Sequence, residues 1–355
     1  MDSVSRAAGL QLTEALEQLG EWVTEEQYRK QPDLNSRFGP NGRKRTKEDT
    51  LYHLRYLAQS VTMSSPLLFI QYIAWLKELL AQFKVTEKDI LNNLLLIQQA
   101  IETNIDSPYK EELQSYLEMG MFRLAEKAET PSYVREDRPF FEEAKMYLEL
   151  LLAGERQQAA SFIIGQLDQA RMSVKELYLY VFQPCQYEIG RLWQKGEITV
   201  AQEHFCTACT QSIISSLYPR WLTARSGSKT FVAAGVGSEL HEIGLRMLTD
   251  FFEMEGWDTY FLGANLPEES LLAFLRKHKP DVVGISATIT YHVDLVQKLI
   301  GRIRNELELR DVKIMVGGMP FNIDRELWQK VGADGYAPDA QNAVAKAEEL
   351  TFVNK

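Results

Sequence analysis

Cysteine is scarce in this chain, with only Cys185, Cys206 and Cys209 among 355 residues. Three thiols cannot build a paired disulfide framework, and their number fits a reducing compartment. Cationic charge is also in short supply. Lys and Arg number 39 against 49 Asp and Glu, a net charge of −10, so the surplus that generic phosphate-backbone binding needs is missing. Nucleic acid is therefore not an expected partner. No apolar run reaches the ~20 residues of a membrane span. The longest, 65–80, is interrupted by Gln71, Lys77 and Glu78. Met1-Asp2-Ser3-Val4 has no basic segment leading into an apolar one, so no secretory signal is expected and the expected location is cytoplasmic. Both nucleotide fingerprints are missing as well: GxxxxGK[ST] does not occur, and Gly235-Val-Gly237 lacks the third glycine of GxGxxG. What is present is the composition of an ordinary folded chain, 45% hydrophobic and 25% charged, long enough for two or three domains.

The hydrophobic period divides the chain into three blocks. Residues 1–130 read as helix after helix, with Leu51, Leu54, Leu57, Ala58 and Val61 at helical spacing. Ser65-Pro66 and Ser107-Pro108 are start signals, and Thr86 caps another helix carrying Ile90, Leu94, Ile97 and Ile101 inside. Gln31–Lys47, with Pro32, Gly39, Pro40, Gly42 and the cluster Arg43-Lys44-Arg45, reads as a solvated loop. A linker is expected at 129–139. Residues 131–226 hold roughly four helices with short connections, including capping boxes at Ser173-Val-Lys-Glu176 and Thr199-Val-Ala-Gln202, the pattern of a small bundle. Beyond Ser226-Gly227-Ser228 the period changes. Short β-branched runs at 230–236, 258–262, 281–286, 313–316 and 335–336 alternate with helical segments over residues 227–355. That alternation predicts a Rossmann-like (flavodoxin-like) parallel sheet with helices on both faces. The expected fold class is thus α plus α/β: an all-helical N-terminal domain, a four-helix cap bundle, and a C-terminal doubly wound domain.

In such a sheet ligands sit beyond the carboxyl ends of the strands. Gly237-Ser-Glu239-Leu-His241-Glu-Ile-Gly244 leaves the first strand, Ser286-Ala-Thr288 the third, and Gly317-Gly318 the fourth. His241 offers an imidazole, and Glu239 stands close enough to orient one ring nitrogen while the other binds a metal. Ser286 and Thr288 offer hydroxyls. Gly317-Gly318 lets a bulky group lie against bare backbone.

The spacing resembles the cobalamin-binding signature D-x-H-x-x-G, S-x-L or S-x-T, then G-G, with 41 residues between Gly244 and Ser286 and 28 between Thr288 and Gly317. The resemblance covers the whole C-terminal block, with Glu239 standing where most members carry Asp. It implies that His241 replaces the cofactor's own lower base as cobalt ligand, with Glu239 behind it. It also implies a slot for the displaced nucleotide tail, lined by Ser286, Thr288, Gly317 and Gly318.

In the second block, Trp193 is followed after nine residues by Glu203-His204. This is similar to the W-x9-E-H element of adenosylcobalamin photoreceptors of the CarH/LitR type, in which a helical cap covers the upper face of the cofactor. The resemblance implies that Trp193 presses on the adenosyl group, Glu203 accepts from its ribose, and His204 sits near the cobalt–carbon bond. Gln194 departs from members that carry a His there. Cys206-Thr-Ala-Cys209 lies within a helix and reads as core packing rather than a zinc site.

The order of the blocks resembles the photocobilins, which pair cobalamin with a bilin such as biliverdin. That likeness implies a second pocket among Tyr52, His53, Tyr56, Phe69, Tyr72 and Trp75, with His53 facing the ligand. The resulting expectation is a non-enzymatic, adenosylcobalamin-dependent light sensor. Its homo-oligomeric state would change on illumination and signal to an unknown protein partner. Two other functions are compatible with the His241 signature: a corrinoid methyl carrier serving a methyltransferase, and a cobalamin-dependent transcription regulator.

Overall fold

The computed structural model describes residues 3–127, 130–221 and 229–352. In the first domain α1 (Ser3–Lys30), α2 (Leu34–Phe38), α3 (Gly42–Thr62), α4 (Pro66–Ala81), α5 (Glu87–Asn104) and α6 (Tyr109–Ala125) pack around one apolar core. Leu54, Leu57, Ala58 and Val61 are buried as their spacing predicts, and so are Phe69, Ile73, Ile90, Leu94, Ile97 and Ile101. Thr86 makes a full capping box with Asp89 at the start of α5. The expected loop over 31–47 is corrected: it contains α2, and Arg43-Lys44-Arg45 form the first turn of α3. The cause is tertiary. Arg43 Nη1 lies 2.6 Å from the Glu25 carboxylate and its guanidinium covers the Tyr28 ring, while Lys47 pairs with Glu21, so α1 supplies the partners that let a basic segment wind.

The second domain consists of α7 (Phe141–Leu152), α8 (Arg156–Asp168), α9 (Val174–Leu177), α10 (Gln183–Gln194) and α11 (Val200–Leu217). Both expected capping boxes form, at Ser173 and at Thr199. A π-helical turn, Tyr178–Phe182, joins α9 to α10. Its wider winding leaves Tyr178, Val181 and Phe182 all fully buried. Cys206 and Cys209 are buried in the same core, as their helical setting predicts.

The third domain runs β1 (Thr230–Gly235), α12 (Ile243–Met254), β2 (Asp258–Phe261), α13 (Glu268–His278), β3 (Val282–Ser286), α14 (Val293–Asn305), β4 (Lys313–Gly317), α15 (Met319–Ile323), α16 (Leu327–Lys330), β5 (Gly335–Tyr336) and α17 (Ala340–Thr351). The strands are parallel in the order β2-β1-β3-β4-β5. The expected doubly wound domain is therefore present, with α15 and α16 added between β4 and β5. The expected domain boundary at 226–227 lies outside the described residues. Alternate residues of β1 serve opposite faces: Val232 and Ala234 meet the α13 and α14 layer, while Phe231 and Ala233 meet α12 and α17.

The three domains share cores at their junctions. Met247 and Phe251 of α12 belong to the apolar cluster of the second domain, which therefore sits on α12. Tyr178 donates to Asp250 on the same helix at 2.8 Å. Met63 and Leu68 of the first domain are fully buried in the cluster that contains Phe321 and Leu327. Burying each such side chain contributes ~1.5–3 kcal/mol, enough to hold domains in fixed contact.

Candidate functional site

In a sheet with this strand order the crevice for a ligand opens at the carboxyl ends of β1 and β3, where the direction of winding reverses. The ladder sets the chemistry level. Gly235 pairs with Ser286, and Ser286 with Gly317, so the three segments singled out from the sequence leave the sheet in one row.

The centre of the site is Glu239, fully buried in the loop after β1. Its Oε1 accepts from the backbone N–H groups of Leu240 at 3.0 Å and His241 at 2.9 Å, and lies 2.6 Å from His241 Nδ1. Its Oε2 accepts from the backbone N–H of Thr288 at 2.5 Å and lies 3.3 Å from His292 Nδ1. Burial opposes the charge on Glu239, but the hydrogen bonds from His241, His292 and the backbone outweigh it and hold the carboxyl well below the usual range. An ionised carboxylate only accepts, so Nδ1 of His241 carries a hydrogen. Nε2 is then the basic nitrogen of the neutral ring, on a side chain that is 60% exposed. The hydrogen bond to Glu239 raises the pKa of His241, and the nearby charge of Glu203 adds to it.

Glu203 therefore brings the first turn of α11 within electrostatic reach of His241, although 38 positions separate them in sequence. Glu203 accepts from Thr207 Oγ1 at 3.2 Å and contacts His204, whose ring is largely exposed. Trp193 is half-buried at the end of α10. Gln194, beside it, turns the other way: its amide donates to the Trp75 carbonyl at 2.8 Å, and its own carbonyl accepts from Gln82 at 3.2 Å. The residue that departs from the light-sensing pattern is thus engaged by α4.

The floor has room. A Cβ placed on Gly237, Gly244 or Gly317 would meet nothing within 4 Å. Gly318 is different: its φ is +105°, and a Cβ there would lie 2.0 Å from the Ala287 carbonyl oxygen, so only glycine fits. Ser286 ends β3 half-buried, its carbonyl accepting from Val236. Thr288 reaches Glu239 through its backbone rather than the hydroxyl that the sequence emphasised. Among the described residues no group of three or more His, Cys, Asp or Glu could hold a bare ion. One imidazole backed by a carboxylate, above an open glycine floor, instead fits a metal whose in-plane positions a macrocycle already fills.

His53 does not match its expected role. It is buried in α3, its Nδ1 lies 2.7 Å from the Tyr72 hydroxyl, and burial pushes its pKa down to about 3. Tyr56 stacks on Tyr72 with centroids 3.8 Å apart. Ring packing thus takes the space where an open cavity around His53 was expected. Tyr52 and Trp75 remain at the surface. The sequence reading also missed His292. Its signal was present: an imidazole in the loop that follows the carboxyl end of β3.

Comparison with known proteins agrees with this geometry. Residues 229–345 match the family described as B12 binding domain, and residues 143–218 match a second family of the same description. The chain is 30% identical over 167 residues to the dimethylamine corrinoid protein of Methanosarcina barkeri, covering 46% of this chain and 76% of that one. It is 31% identical over 209 residues to dimethylamine corrinoid protein 1 of Methanosarcina mazei, covering 55% and 94% respectively. The solved monomethylamine corrinoid protein of Methanosarcina barkeri superposes with a TM-score of 0.53 at 19% identity, covering 60% of this chain and all of that one, a likeness of fold. These matches support cobalamin binding, with one B12 binding domain covering the segment that carries Glu239 and His241. The chain belongs to the B12-binding corrinoid proteins, and its residues 1–142 lie outside both family matches.

Proposed function

We propose that this protein is an adenosylcobalamin-dependent light sensor, non-enzymatic in itself, in which the helical cap and the N-terminal domain respond to the state of the upper face. One observation carries the reading: the N-terminal domain is tied both to the cap and to the sheet domain. Gln194 and Gln82 join α10 to α4, and the same N-terminal domain is joined to the sheet domain by Lys330 Nζ, which donates to the Ser64 carbonyl at 3.1 Å, and by Tyr56 against Tyr291. A carrier must open its upper face to another protein's active site. A cap clamped by a third domain suits retention of the upper ligand.

The residues divide the work. His241 Nε2 would hold cobalt from below, oriented by Glu239. Ser286, Thr288, Gly317 and Gly318 would line the slot for the nucleotide tail. Trp193 would cover the upper ligand with an apolar face and Glu203 would accept from its ribose, with His204 at the rim. Adenosylcobalamin supplies a cobalt–carbon bond that visible light breaks. Trp193 and Glu203 would hold the cap in its dark position as long as that upper ligand is in place. The readout would be a changed homo-oligomeric state, sensed by a protein partner in the cytoplasm.

The comparisons back a second reading better than the first: the similar proteins are dimethylamine and monomethylamine corrinoid proteins, which favours a corrinoid methyl carrier that serves a methyltransferase, and none of them is a light sensor. Calorimetry with adenosylcobalamin and methylcobalamin, followed by illumination of each complex and sizing of the protein, separates the two. Preference for the adenosyl form and a light-dependent change in mass support the sensor. Equal affinity with no change in mass favours the carrier. A bilin such as biliverdin as second chromophore is a separate part of the proposal. The exposed rings of Tyr52 and of Trp75, the latter stacked on Tyr72 with centroids 6.3 Å apart, offer flat apolar contact for it. A red absorption band that appears with biliverdin, and is lost with Tyr52→Ala and Trp75→Ala, supports that part; its absence with the full chain overturns it.

A further inference from the structure

Thr290–His292 forms a single turn between β3 and α14, and it faces two domains at once. On one side His292, almost fully buried, reaches Glu239 Oε2, the same oxygen that takes the Thr288 N–H. On the other side the Tyr291 ring stands edge-on to His292 at 4.8 Å and edge-on to Tyr56 of the N-terminal domain at 5.6 Å. Tyr56 stacks on Tyr72, and Tyr72 is hydrogen-bonded to His53. An unbroken series of ring contacts and hydrogen bonds therefore runs from the carboxylate behind His241 into the core of the first domain.

We propose that His292 is a positioning residue for His241, and that Tyr291 and Tyr56 make its position depend on the docked N-terminal domain. The inference rests on His241 being the cobalt ligand. Glu239 has two oxygens with separate tasks. Oε1 orients the imidazole of His241, and Oε2 is anchored by His292 and Thr288. With Oε2 fixed, the carboxylate cannot rotate, and Oε1 stays aimed at Nδ1. Loss of His292, or of the ring that holds Tyr291 against it, removes one of the two anchors of Oε2 and leaves Thr288 there, with the Leu240 and His241 N–H groups on Oε1. Groups that orient a metal-bound imidazole typically change metal affinity by ~10–100-fold when removed. A contact one ring further away acts more weakly, and only while His241 is there to be oriented.

The experiment measures affinity of the full chain for aquocobalamin by calorimetry, and the axial-nitrogen splitting of bound cob(II)alamin by electron paramagnetic resonance. His292→Leu is expected to weaken binding by ~10-fold or more and to reduce the fraction showing the splitting. His292→Asn, which keeps an N–H donor near the Nδ1 position, is expected to restore most of both. Tyr56→Leu, which leaves every residue of the sheet domain in place, is expected to weaken binding ~3–10-fold in the natural chain and not at all in His241→Ala. An equal loss in the two backgrounds overturns the coupling while leaving the cobalamin site intact. Splitting that keeps its 14N pattern in the full chain labelled with 15N-histidine overturns the ligand assignment, and the coupling with it. If His292→Leu fails to fold, the Tyr56→Leu comparison still decides.

Discussion

The side-chain amide of Gln194 donates to the backbone carbonyl of Trp75 at 2.8 Å, across 119 positions of sequence. This bond puts the end of the cap helix that carries Trp193 directly against the N-terminal domain. Gln194→Leu is therefore expected to cost about 1 kcal/mol of stability, the ordinary net worth of such a bond. It is also expected to raise amide hydrogen exchange in 66–81 and 183–194 together. Exchange that changes in one of those helices alone would mean that the two domains are not clamped there.

Gly317 and Gly318 are neighbours with opposite constraints, and they give a paired test. Ala at 318 must accept a left-handed φ and a Cβ 2.0 Å from the Ala287 carbonyl oxygen, so Gly318→Ala is expected to lower stability by at least ~2 kcal/mol. Gly317→Ala adds a methyl to open space and is expected to leave unfolding within ~0.5 kcal/mol of the natural chain. If that space belongs to the nucleotide tail, the same variant loses cobalamin affinity. Denaturant unfolding of the apo chain and calorimetry of the two variants check both statements.

Asp250 links pH to the cap. Burial pushes its carboxyl up to about 6, against the hydrogen bond from Tyr178 and the charge of Arg246. A carboxyl whose pKa is higher folded than unfolded opposes folding once it ionises. Its cost is absent below the unfolded pKa of ~3.9, grows as pH rises toward 6, and is complete above it, at most ~3 kcal/mol. Asp250→Asn keeps an acceptor for Tyr178 and removes the charge. It is expected to be the more stable protein at pH 7, with the advantage shrinking toward pH 4. An advantage that does not vary with pH would assign the effect to packing.

Asp89 acts with the opposite sign. Burial raises its pKa, but Arg37, at 2.6 Å, and the capping bonds of Thr86 overcome this and bring it down to about 2. Its contribution is present above the unfolded pKa of ~3.9 and is lost as pH falls from there toward 2. With Arg37 partly in solvent, about 1–2 kcal/mol is expected. Arg37→Gln should remove most of this acid dependence in urea unfolding followed between pH 5 and 2.

The elements and the pairing of Glu239 with His241 were legible in the residues alone. Short β-branched runs and turn residues are local signals, so the strands lie within a residue or two of where patterning puts them. Glu239 and His241 stand two residues apart, so their partnership could be read directly. The joining of Gly235, Ser286 and Gly317 into one row follows from parallel register, once the alternation of strands and helices is recognised. Tertiary structure decided what depends on partners distant in sequence. Arg43-Lys44-Arg45 lies in a helix because α1 offers Glu25 and Tyr28. His53 is sealed because Tyr72 takes its free nitrogen and Tyr56 fills the space beside that ring. Gln194 faces the N-terminal domain because α4 binds it. His292 joins the site because the loop after β3 folds back onto Glu239. Each of these outcomes depends on which side chains meet across domain junctions, and hydrophobic period and residue spacing carry no information about that.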